Sequence, residues 1–133
     1  MVRHQTLPMS VTNEKDQFER GIAHFNAGEF FEAHEVWEEL WLRAPGNDKP
    51  FLQGIIQIAA AFHHFKRGNL RGARSLLTAG LGKIDRYADG HKEIDVAQLC
   101  DETKAWLKKL RAGEAPADAQ LPKIQKAHQA ADE

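Results

Sequence analysis

Apolar positions recur along this chain with the period of an α-helix, in five separate blocks. Phe18, Ile22 and Phe25 fall at i, i+4 and i+7, the stripe of a helix buried on one face. Asn13 is placed to cap that helix, with Asp16 near the positive end of its dipole, and Gly28 to stop it. From Phe30 to Trp41, the residues Phe30, Ala33, Val36, Trp37, Leu40 and Trp41 share one broad arc, and Glu32, Glu35 and Glu39 lie opposite. His34 and Glu38 stack at i, i+4 on the edge of that arc, beside Trp41. Ala44-Pro45-Gly46-Asn47-Asp48 then breaks the pattern.

The block from Pro50 to about Arg67 is apolar nearly all round, which predicts a central, buried helix. Its one polar line is Gln53, Gln57 and His64, with Ala60 between them. Gly68-Asn69 closes it. A fourth helix follows with Ala73, Leu76, Leu77, Gly80, Leu81 and Ile84 on its inner face. Gly72, Gly80 and Gly82 each cost about 1 kcal/mol against alanine inside a helix, so a close neighbouring backbone is expected there. The fifth helix has full start signals: Asp95 as cap, Gln98 at N3, Ile94 and Leu99 as a hydrophobic staple. Val96, Leu99, Cys100, Thr103, Trp106, Leu107 and Leu110 form its inner face, and Gly113 ends it.

The connections are short, and short connections between helices favour antiparallel neighbours. The expected fold is therefore all-α: two antiparallel helical hairpins plus a capping fifth helix, with the third helix at the centre. Residues 1–12 are expected to be a mobile N-terminus and residues 13–113 a single helical domain. Residues 114–133 form a polar tail, disordered or partly helical between Gln120 and Ala130.

The elbow between hairpin helices occurs twice. The stretch Ile22 to Ala33 aligns with Phe62 to Ala73, forty residues further on. It matches an apolar residue, His, Phe, Gly, an apolar residue and Ala in order. This resembles the elbow of tetratricopeptide-like hairpins, although that family repeats at about 34 residues.

Composition narrows the function classes. Net charge is −1, with 18 basic and 19 acidic side chains, so there is no electrostatic footprint for nucleic acid or an anionic membrane. The one cysteine permits no intrachain disulfide. Phe51 to Phe65, the most apolar run, is too short to span a bilayer and is interrupted by two glutamines and two histidines. Met1 to Thr12 has no signal-peptide core. A soluble cytoplasmic protein is expected.

Two of the blocks together carry a family resemblance. Phe25-Asn26-Ala27-Gly28-Glu29-Phe30-Phe31-Glu32-Ala33-His34-Glu35-Val36-Trp37-Glu38, then Trp41, then Phe51-Leu52-Gln53-Gly54-Ile55-Ile56-Gln57-Ile58-Ala59-Ala60-Ala61-Phe62-His63 resemble the signature of DUF309, small all-α bacterial and archaeal proteins of unknown function. The resemblance covers roughly Phe18 to Ile84. Position by position it points to Glu32, His34, Glu35, Glu38, Trp41, Gln53 and His63, and it implies no reaction.

Pairing the second and third helices antiparallel, with Trp41 beside Leu52, sets Glu38 level with Gln57 and His34 near Ala60 and His64. A pocket of His34, Glu38, Gln53, Gln57 and His64 over Trp41 is then expected, with Glu38 hydrogen-bonded to Gln57 or Gln53. His63 points about 100° away from His64. Stripe geometry favours His64 and the family pattern favours His63. His34, Glu38 and His64 would suit a divalent transition metal. His34-Glu35-x-x-Glu38 lacks the second histidine of a zincin motif, and neither a nucleophile with a base beside it nor a phosphate loop occurs. Two readings result. One is a non-enzymatic helical module that binds a protein partner or itself. The other is a small enzyme or sensor that uses the polar pocket between the second and third helices, with or without a metal.

Overall fold

A computed structural model describes residues 11–87, 90–117 and 121–127. Expectations for residues 1–10 and 128–133 fall outside the described residues. Five α-helices follow in order: α1 (Val11–Asn26), α2 (Phe30–Arg43), α3 (Lys49–Lys66), α4 (Leu70–Ile84) and α5 (Val96–Arg111). Each packs against the next in the chain. A short 3-10 turn, His91–Glu93, precedes α5. Among the described residues there is no strand, only an isolated antiparallel bridge between Ile94 and Lys126.

The helices begin and end where local chemistry dictates, with some shifts. Gly28 and Gly68 both take positive φ, +79° and +84°. In each elbow the glycine N–H reaches back to the phenylalanine three residues earlier, Phe25 or Phe65. The next N–H reaches the histidine five residues earlier, His24 or His64. Both elbows are thus the same Schellman closure, which needs a left-handed residue at the glycine. Asn69 caps α4 by accepting from Gly72 N–H at 3.0 Å, and Asp95 caps α5 by accepting from Gln98 N–H at 2.9 Å. Asp48 precedes α3, but its carboxylate makes no cap bond. It faces His91 Nε2 at 3.2 Å and Lys92 Nζ at 3.6 Å instead. Helix α1 starts at Val11, so Asn13 lies inside its first turn rather than capping it.

The core is one apolar cluster drawn from all five helices. Helix α3 is its centre: Phe51, Leu52, Ile55, Ile58, Ala59, Ala61 and Phe62 are buried. An aromatic series links the helices, with ring centroids 6.3 Å apart for Phe25–Phe62 and 5.1 Å for Phe62–Trp106. All seven residues expected on the inner face of α5 are buried. The expected close approach occurs at Gly80, which meets Gly54 of α3. Gly82 has open space around it, and Gly72 adjoins only its own cap, Asn69.

The tail departs from expectation. Residues 121–127 are extended, not helical, and Pro122 and Ile124 are buried. They run back along α5 towards its start, with Leu121 near Trp106 and Lys126 bridged to Ile94.

Candidate functional site

The sequence directs attention to the face shared by α2 and α3. Near the N-terminal half of α2 lies a cleft of about 200 Å³ lined by Phe31, His34, Ala60, His63 and His64. Ala60 is small enough to leave room between the helices. The Phe31 ring lies nearly parallel to His34 (6.1 Å between centroids, 16°) and 5.4 Å from His63. His63 and His64 stand on adjacent positions, 6.1 Å apart and steeply inclined.

Both histidines therefore line the cleft. Side chains about 100° apart can flank the two sides of one mouth, so the expected choice between them does not arise. The side-chain amide nitrogen of Asn69 lies 3.0 Å from His64 Nδ1. His34 Nδ1 is buried and has no hydrogen-bond partner among the described residues. Burial, then the nearby Arg67 charge and the His64 and His34 rings, hold His63 below the usual histidine range.

The other expected pocket residues lie elsewhere. Glu38 is exposed, and with Glu32, Glu35 and Glu39 it lines a groove between α1 and α2 that also includes Arg20 and His24. It makes no bond to Gln57 or Gln53. Gln57 accepts instead from Lys83 Nζ of α4 at 3.0 Å, and Gln53 is exposed. Trp41 does not floor the cleft. It sits two turns away, half-buried, with the Lys49 ammonium 4.4 Å above its ring and bonded to its carbonyl oxygen. The expected metal trio is split, because Glu38 faces the α1–α2 groove while His34 and His64 face the cleft. Among the described residues no three His, Cys, Asp or Glu side chains are grouped to hold a metal ion.

Phe31, next to the buried Phe30 but outside the apolar arc of α2, is 47% exposed. The signal lay in the pair Phe30-Phe31, whose side chains point about 100° apart, so only one can face the core. A second cleft, of about 230 Å³, also escaped the periodicity. It lies over Phe18, Leu40 and Leu52 and is rimmed by Lys15, Arg43, Asp48, Lys92 and Glu93. Lys92 and Glu93 there adopt positive φ, 53° and 64°.

The model of DUF309, a domain of unknown function, matches residues 18–76. Those residues belong to the DUF309 family. The match begins where the resemblance in the sequence begins and takes in α2, α3 and the cleft between them. An uncharacterized protein of Aquifex aeolicus (strain VF5) is 25% identical over 99 residues, covering 74% of this chain and 30% of that protein. The uncharacterized protein YpuF of Bacillus subtilis (strain 168) is 40% identical over 50 residues, 37% of this chain and 29% of YpuF. The chain thus spans about three tenths of the length of these curated relatives. Among the described residues, no helix is long and apolar enough to cross a membrane.

Proposed function

We propose that this DUF309 chain is a non-catalytic helical module that binds protein through the outer face of α2, with a second copy of itself as the partner. The observation that carries this is the placing of Phe31 and Leu42. These are the large apolar side chains left exposed among the described residues, at 47% and 67%. Both lie on α2, eleven residues apart, and so within about 20° of each other around the helix. Glu35 and Glu38 lie between them on the same face, flanked by Glu32 and Glu39, all four exposed. Two apolar anchors around an acidic band suit a partner that is basic and apolar.

The chain carries such a surface itself. Lys66, Arg67 and Arg71 are exposed at the α3–α4 elbow, beside the cleft that holds Phe31. A two-fold pair would set each acidic band against the other copy's elbow. Light scattering on a size-exclusion column tests this. The mass should exceed that of one chain at low salt and fall as salt screens the pairing. A single-chain mass at every salt and protein concentration would contradict it. We place the protein in the cytoplasm, supported by its single cysteine, Cys100, which is buried and outside any disulfide.

A second reading rests on the three imidazoles of the cleft. A small hydrogen-bonding ligand seated there would satisfy the buried His34 Nδ1, and native mass spectrometry of the untagged protein would show it as a retained mass.

A further inference from the structure

The segment Leu121–Ala127 lies in the seam between α1 and α5, antiparallel to both. The side chain of Asn26, in the last turn of α1, grips its backbone twice: Nδ2 donates to Ile124 O at 2.9 Å and Ile124 N–H donates to Oδ1 at 2.7 Å. On the other side Asp95 N–H donates to Gln125 O at 2.7 Å, and Ala127 N–H donates to Glu93 O at 2.9 Å. Gln98 Nε2 donates to Lys123 O at 3.2 Å. Ile124 fills the seam at 3% exposure, and Lys126 pairs with Glu19 at 2.6 Å. Each contact runs from the strap to α1, α5 or the turn before α5.

The segment leading to the strap has a different character. Gly113, at φ +83°, ends α5, and residues 112–115 and 117 are exposed. Gly113 and Pro116 are the backbone chemistry of a hinge, and a tether of this kind supplies local concentration rather than contacts. The seam therefore recognises a peptide by its backbone, one branched aliphatic side chain and a lysine two residues later. Nothing in those contacts depends on which chain supplies the peptide.

We infer that the α1–α5 seam is a peptide-docking site that accepts the Leu121–Ala127 segment of a second copy in exchange for its own. The exchange breaks no bond type that it does not remake, and the turn at Gly113 and Pro116 is where the chain can redirect. This surface is separate from the outer face of α2, and the exchange is read by a covalent trap and not by mass, so its failure is distinguishable from failure of the α2 pairing.

A site-specific trap tests the exchange. Ile94 and Lys126 face each other across an antiparallel bridge flanked by the Asp95 N–H to Gln125 O and Ala127 N–H to Glu93 O bonds, the close cross-strand spacing that suits a disulfide pair. In a Cys100→Ala background, one full-length chain carries Lys126→Cys and another carries Ile94→Cys. Mixed at increasing concentration under mild oxidation, they should give a covalent mixed dimer. Adding Ile124→Asp to the Lys126→Cys chain should cut the yield by at least about tenfold, as the anchor of the exchanged segment is lost. A single chain carrying both cysteines must close an internal disulfide. Its failure to do so would overturn the docked geometry. A mixed-dimer yield no higher than that of the Ile124→Asp control would show that the strap stays with its own chain, and the inference would fall.

Discussion

Gln57 of α3 accepts a hydrogen bond from Lys83 of α4 at 3.0 Å, and so faces away from Glu38 of α2. That one relationship separates the polar line of α3 from the acidic edge of α2. Glu38→Ala should then change stability by less than about 0.5 kcal/mol, as is usual for an exposed position. Gln57→Leu should couple to Lys83→Met and not to Glu38→Ala. Thermal melts in two double-mutant cycles measure both terms. A 38–57 coupling above about 0.5 kcal/mol would show that the two side chains meet.

Two glycines in the helices are held by their neighbours, and a third is not. A Cβ on Gly21 would stand 2.0 Å from Trp37 Nε1, and one on Gly80 would stand 2.7 Å from the Gly54 carbonyl oxygen. Gly21→Ala and Gly80→Ala should each destabilise by about 1–3 kcal/mol through overpacking. Gly82 meets nothing within 4 Å. Gly82→Ala should stabilise by up to about 1 kcal/mol, the helix-propensity difference. Urea melts of the three variants should show opposite signs; three equal shifts would contradict the packing described.

One cleft histidine, His63, makes stability depend on pH. His63 lies below its ordinary value, first by burial, then through Arg67, His64 and His34, with Glu32 opposing. Its folded form therefore binds a proton less readily than the unfolded chain does. His63 costs no stability well above the ordinary histidine pKa of about 6.5, and a growing loss follows as pH falls through that value and then through the lower folded one. The melting temperature of the wild type should drop more between about pH 7.5 and about pH 5.5 than that of His63→Gln. Parallel curves would count against the crowded, partly desolvated ring.

Ile124 is an anchor although it lies in a polar tail. Ile124→Ala should cost about 2–5 kcal/mol, the range for emptying a buried aliphatic site. Asn26→Asp should weaken the same contact, since it replaces the amide donor to Ile124 O with a carboxylate oxygen. Denaturant melts of the full-length variants measure both, and shifts under about 0.5 kcal/mol would mean that the strap adds little to the fold.

The helices were legible because their patterns are local. Every expected inner residue of α5, from Val96 to Leu110, is buried, and the periodicity of one segment is enough to find them. On α2 the arc was read slightly wide: Val36 and Trp41 are only half-buried. The cleft was half legible. His34, Ala60 and His64 were matched across α2 and α3 by register alone, and they do meet. Glu38, Gln53 and Gln57 did not follow, because a helix that is apolar nearly all round can turn its polar line towards either neighbour, and Lys83 drew Gln57 to α4. The strap was not legible. Ile124 stands alone among polar residues, and its burial depends on a seam built by α1 and α5, nearly a hundred positions apart at Asn26 and Ile124.

The central claim is that the outer face of α2 binds protein, and sedimentation velocity of wild type beside Phe31→Ser/Leu42→Ser tests it most directly. Both side chains are exposed, so the double variant should keep the wild-type melt. The account predicts that the wild type shows salt-sensitive association at low salt and that the double variant loses it. Equal sedimentation of the two proteins at every concentration would contradict it.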